Sequence, residues 1–99
     1  MRPNPTDADP RLKKLGFRAW RRGFREADLI LGPFADAHLE HMSAVELDDF
    51  EALLDQPDQD LYGWIIGTAT APAEFDTPVL DLIRAFRFSV HVANAGAGG

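Results

Sequence analysis

Two histidines, His38 and His41, stand three residues apart in the stretch DAHLEH, with Asp36 and Glu40 close by. Read as helix, that spacing puts both imidazoles on one face, where zinc or iron could use them. A complete site needs three or four ligands, and the one other histidine, His91, lies near the C-terminal end. A solvated polar face is therefore the plainer reading. The carboxylates Glu46, Asp48, Asp49, Glu51 and Asp55 raise acid–base catalysis in the same way. Such work needs two groups in distinct environments, one of them usually buried. These five follow the outer side of an apolar stripe, which suits water better. The chain has no cysteine, no serine paired with a histidine in a nucleophile pattern, and no glycine-rich phosphate loop. Nothing in these residues resembles an enzyme site.

The most basic stretch is RRGFRE, residues 21–26, with Gly23 at its centre. Inside a helix this glycine would cost about 1 kcal/mol against alanine. A helix ending at Arg22 removes that cost, because glycine belongs just past a helix end in a left-handed conformation. Arg22 and Glu26 then frame a corner instead of forming an i,i+4 pair. Two readings follow. Either this is a plain turn tied by Arg22 and Glu26, or the missing side chain lets a partner's surface approach the backbone.

The elements that would position this corner are helical. Asp9 caps a first helix with Pro10 at its first position, and Leu12, Leu15, Ala19 and Trp20 fall on one face. A second helix starts near Phe24 and Arg25, with Ala27, Ile30, Leu31 and Phe34 inward. Gly32-Pro33 should kink it, with helix continuing through ADAHLEHM. Ser43 to Glu46 spells a capping box, followed by a stripe of Val45, Phe50, Leu53 and Leu54 with Leu47 close to it. DQPDQD reads as a turn and LYGWIIG as a short helix that stops at Gly67. TATAPAEFDTP reads as a loop. Thr77 with Pro78 opens a last helix whose stripe is Val79, Leu82, Ile83 and Phe86. The alternation in FRFSVHV is discounted as a strand, because it has no partner. The expectation is an all-α, compact five-helix bundle over residues 10–88, with a flexible arm over 1–9 and a flexible tail over 89–99.

Ninety-nine residues with 45% apolar content suit one small globular domain. The net charge of −6 hides an asymmetry: residues 1–25 hold eight basic and two acidic side chains, whereas the remainder holds two basic and fourteen acidic. A basic end on an acidic body suggests a molecule that docks one face onto something. Phe17 and Trp20 among the arginines also allow a nucleic-acid reading, which the acidic body opposes. No apolar run approaches the roughly 18 residues of a membrane span, and no secretory signal is evident. A cytoplasmic protein without membrane insertion is the simplest expectation.

Arg22-Gly23-x-x-Glu26, followed by Asp28-Leu-Ile-Leu and Gly32-Pro33-Phe34, resembles the FAD assembly factors of succinate dehydrogenase. These are called SdhE in bacteria and have a mitochondrial counterpart. Phe50-Glu51-x-Leu53-Leu54 and Asp58-x-Asp60-Leu61-Tyr62-x-Trp64 continue the pattern in the same order, so the likeness runs from about Arg11 to Phe86. The resemblance implies a five-helix fold and a chaperone-like role without catalytic residues. It implies binding to the flavoprotein subunit of succinate dehydrogenase and, in some bacteria, that of fumarate reductase. The covalent attachment of FAD to that subunit would be promoted by holding a competent conformation. The assembly factor itself would hold no cofactor stably, and FAD would be handled on the partner. Arg22, Gly23 and Glu26 would form the docking motif, flanked by Arg21, Phe24 and Asp28. Asp60, Tyr62 and Trp64 match the second motif, and Trp64 has core packing as its alternative. Phe24 stands where relatives often carry another apolar residue. A monomer is the default expectation. The competing reading is a small nucleic-acid-binding or regulatory helical protein that uses the basic first helix.

Overall fold

The computed structural model describes residues 9–87, and the arm and tail expected from the sequence lie outside the described residues apart from Asp9. Five α-helices follow one another, with no strand among the described residues. Helix α1 spans Pro10–Trp20, α2 Arg25–His38, α3 Ala44–Leu54 and α4 Asp58–Ile66. The last helix, α5, covers 78–87 within the described residues. A short 3-10 turn, Leu39–His41, follows α2.

The helix starts are set by local chemistry. The Asp9 carboxylate accepts from the Arg11 and Leu12 N–H groups, with Pro10 as first helical residue. Ser43 and Glu46 form the full reciprocal capping box of α3. The Thr77 hydroxyl accepts from the Leu80 N–H at 3.4 Å. Helix α4 has no side-chain cap, but Asp58 and Asp60 fill its acidic first turn, where they meet the positive end of the helix dipole.

One core joins all five helices. Leu12, Leu15 and Ala19 of α1 pack with Ala27, Leu31 and Phe34 of α2. Phe50, Leu53 and Leu54 come from α3, Leu61, Trp64 and Ile65 from α4, and Val79, Leu80 and Ile83 from α5. Among the described residues no polar or charged residue is buried as a whole, although the Arg22 side chain is nearly enclosed. Helices α1 and α2 make the most extensive helix–helix packing, which places the α1–α2 corner on the bundle.

Several expectations are corrected. Helix α1 ends at Trp20, two residues before Arg22. Helix α2 passes through Gly32-Pro33 unbroken but stops at His38, where the chain tightens into the 3-10 turn. The stretch DQPDQD is not a turn throughout, because α4 already begins at Asp58. Val45 is 69% exposed and Leu82 39%. Val45 lies off the face of α3 that carries Phe50, Leu53 and Leu54, and Leu80 is buried in α5 instead of Leu82. Trp20 is 41% exposed and lies across α2 instead of entering the core.

Candidate functional site

The α1–α2 corner is residues 21–24. Gly23 has φ +86°, a left-handed conformation that L side chains adopt only at a cost. A Cβ built there would meet nothing within 4 Å, so the backbone, not crowding within the chain, requires the glycine. The Arg22 N–H donates to the Asp28 carboxylate at 3.1 Å. Asp28, in the first turn of α2, thereby ties down the loop that precedes it.

Arg22 does more than frame the corner. Its side chain is only 8% exposed. Nε donates to Asp58 Oδ1 at 2.7 Å, Nη1 to the Leu54 carbonyl at 2.6 Å and Nη2 to the Gln56 carbonyl at 2.7 Å. Leu54 is the last residue of α3, and α3 has no basic residue of its own in its last turn. The guanidinium therefore supplies, from a distant corner, the cation and donors that a helix C-terminus lacks. The same fork holds Asp58, the first residue of α4. One planar group thus joins the α1–α2 corner to the α3–α4 corner, a task suited to the fixed fork of arginine.

The two stretches that carried the resemblance meet at this point. Besides the Arg22–Asp58 pair, the Phe24 and Tyr62 rings lie 5.2 Å apart and tilted at 47°. Tyr62 and Phe24 are half-buried, and Asp60 is exposed. Trp64 belongs to the core: it is buried and stacks on Phe75 at 5.4 Å. Arg21, Gly23 and Glu26 are exposed. No ion pair joins Arg22 to Glu26; Arg22 turns inward to Asp58, and Glu26 stays on the surface. The corner therefore has an anchored inner half and an open outer half.

The remaining charges of α1 divide in the same way. Arg11 pairs with Asp48 at 2.6 Å and Glu51 at 3.3 Å. Arg18 pairs with Asp55 at 2.5 Å and Glu51 at 3.8 Å. The side-chain hydrogen bond to Asp48 raises the Arg11 guanidinium above its ordinary pKa. Of the carboxylates read from the sequence as a solvated face, Asp48, Glu51 and Asp55 are thus counter-ions of α1, and Glu46 is a cap. His38 stacks on Phe34 at 4.5 Å and meets Phe86 edge-on at 5.8 Å, while His41 is exposed. No group of three metal-ligating side chains forms among the described residues.

Sequence reasoning missed Asp58 as the partner of Arg22, and Gly32 and Asp36 as the seat of Trp20. The Trp20 Nε1–H donates to both Asp36 carboxylate oxygens, at 3.2 and 3.3 Å. Its ring covers Gly32 so closely that a Cβ there would collide with it. Asp58 carried a usable signal, an acid directly after Pro57 where a helix can start. The Trp20–Gly32 contact joins two helices and carried none.

Residues 13–87 match a protein family described as Flavinator of succinate dehydrogenase. The chain is 42% identical over 72 residues to a Dictyostelium discoideum protein named succinate dehydrogenase assembly factor 2, mitochondrial. That match covers 73% of this chain and 51% of the relative. It is 41% identical over 70 residues to the FAD assembly factor SdhE of Acetobacter pasteurianus, covering 71% of this chain and 64% of the relative. A Drosophila yakuba protein, succinate dehydrogenase assembly factor 2-A, mitochondrial, is 32% identical over 97 residues, covering 96% of this chain and 56% of the relative. The chain therefore spans between about half and two thirds of the length of these relatives. With the matched region taking in most of α1, the other four helices and the corner they hold in place, this chain belongs to the family described as Flavinator of succinate dehydrogenase.

Proposed function

We propose that this protein is an assembly factor that binds the flavoprotein subunit of succinate dehydrogenase and promotes its covalent flavinylation. The observation that carries the reading is the family match across residues 13–87. The geometry of the corner is consistent with it. Gly23 offers bare backbone with open space above it, flanked by the exposed charges of Arg21, Arg25 and Glu26. Arg22 positions this surface from behind through Leu54, Gln56 and Asp58, and Asp28 holds the loop.

In this reading the chain lends no nucleophile and holds no FAD. It binds the conformation of the flavoprotein in which that subunit's own groups complete the flavin bond. Only differential affinity for that conformation can shift the population. The flavoprotein subunit of fumarate reductase is a second client of the same surface, and the chain works as a monomer in the cytoplasm. For the nucleic-acid alternative, Arg11, Arg18 and Arg22 are engaged by carboxylates of α3 and α4, which leaves it the exposed Lys13, Lys14, Arg21 and Arg25.

The test is co-purification with the flavoprotein subunit, with in-gel flavin fluorescence after denaturation in cells with and without this protein. Complex formation, and loss of covalent flavin in its absence, support the reading. Normal flavinylation and no complex overturn it.

A further inference from the structure

Among the described residues five large apolar side chains stand exposed, and three of them belong to the α1–α2 hairpin: Phe17 at 60%, Leu29 at 57% and Trp20 at 41%. Phe17 and Trp20 share one side of α1 by their three-residue spacing, and Arg21 follows as the cap of that helix. The Arg21 guanidinium sits over the Phe17 ring, 4.9 Å from its centroid. Trp20 reaches across to Gly32, and Leu29 lies three residues before Gly32 on the same face of α2. Trp20 is held in place there by its bonds to Asp36 and its seat on Gly32. The strip ends beside the Gly23 corner.

Most of the charges around this strip are basic and unpaired, with Asp36 and Glu26 as the acidic exceptions. Arg11, Arg18 and Arg22 each face carboxylates of α3 or α4. Lys13, Lys14, Arg21 and Arg25 are all exposed, and none has a carboxylate within ion-pair distance among the described residues. On a chain of net charge −6, this is a local excess of positive charge set around exposed apolar rings. We propose that this strip docks an acidic amphipathic segment of the flavoprotein partner. Apolar side chains of that segment cover Phe17, Trp20 and Leu29, and its carboxylates meet Lys13, Lys14, Arg21 and Arg25. The inference rests on the function proposed above and extends its contact surface beyond the corner. An anionic lipid surface fits less well. The Asp36 carboxylate is fixed within the strip and Glu26 stands exposed at its edge; a folded partner segment can place its carboxylates away from both, whereas a uniform layer of anionic headgroups cannot.

The test is titration calorimetry of the purified full-length protein against the flavoprotein subunit of succinate dehydrogenase. Phe17→Glu and Leu29→Glu should each weaken binding roughly tenfold or more, since each places a charge in the centre of the contact. Val45→Glu, an equally exposed apolar site on α3, should leave affinity within about twofold. Lys13→Gln with Lys14→Gln should weaken binding less and flatten its dependence on salt. Circular dichroism confirms that each variant remains folded. If the wild type forms a complex that Phe17→Glu and Leu29→Glu bind equally well, the strip is overturned and the assembly-factor reading stands. If the wild type forms no complex, both fall. Binding to phosphatidylglycerol–phosphatidylcholine vesicles that Phe17→Glu abolishes, with flavoprotein affinity unchanged, overturns the proposal in favour of a membrane surface.

Discussion

The corner before α2 and the corner after α4 each turn on a glycine with φ +86°, and at both a Cβ would meet nothing within 4 Å. Gly67 closes α4 locally. Its N–H, with those of Thr68 and Ala69, donates to the single carbonyl of Gly63, the usual way a left-handed glycine finishes a helix. Gly23 lies beyond the α1 cap, Arg21. Its loop is held by Asp28, which accepts from the Arg22 N–H, and by the Arg22 side chain bonded to α3 and α4. Its neighbours Arg21, Arg25 and Glu26 are exposed charges, whereas those of Gly67 are Ile66 and Thr68. A left-handed glycine over open space is therefore not by itself the mark of a docking site. What distinguishes Gly23 is a charged surface beside it and a rigid tie behind it.

The most disruptive way to break this comparison is to cut the tie. Arg22→Ala leaves Asp58 and two carbonyls without their donor and should cost about 2–3 kcal/mol in urea unfolding. Arg22→Lys keeps the charge without the fork and should recover only part of that. An Arg22→Ala protein as stable as wild type would show that the Gly23 corner is as local as the Gly67 corner. Next is Gly32→Ala, which pushes a methyl group into the Trp20 ring. It should cost about 1–2 kcal/mol and red-shift the tryptophan emission as Trp20 swings into water, while Trp64 stays buried. Unchanged emission would mean that Gly32 does not seat Trp20.

The two glycines themselves sharpen the comparison. Gly23→Ala and Gly67→Ala should each cost about 1 kcal/mol, because both force an L side chain into the same left-handed backbone while the unfolded chain loses some freedom. Gly23→Arg should lose flavoprotein binding relative to Gly23→Ala with similar helicity by circular dichroism, and Gly67→Arg should bind normally. Equal binding by Gly23→Arg and Gly23→Ala would reduce Gly23 to a structural turn. The smallest effect belongs to the exposed ladder between α1 and α3. Arg18→Ala should lower thermal stability by about 0.5 kcal/mol, less at high salt.

Much of the fold was legible because it is written in neighbouring residues. The Asp9-Pro10 start, the Ser43–Glu46 capping box and the Thr77 start all depend on groups within three residues of one another. The buried faces of α1 and α2 followed from helical spacing, and Leu12, Leu15, Ala27 and Leu31 are where it puts them. Periodicity failed where a residue was added to a stripe it does not match in phase. Val45 lies about 140° around the helix from Phe50 and on the opposite side from Leu54, and it is exposed. The corner was legible as a place: the arginines and Gly23 marked it, and the likeness to a family named its residues. Its wiring was not legible, since the partners of Arg22 arrive from α3 and α4 by folding.

By itself the amino-acid sequence determined where helices begin, which faces are apolar, where the chain must turn left-handed and that its basic charge is gathered at one end. These are consequences of short-range sterics, hydrogen bonding and composition. Only the tertiary structure decided which of the basic side chains are spent. It turned Arg11, Arg18 and Arg22 onto the carboxylates and helix ends of α3 and α4 and left Arg21, Arg25 and Glu26 at the surface. The reason is physical: a guanidinium is satisfied by whatever acceptors packing brings within about 3 Å of it, and those acceptors are remote in the chain.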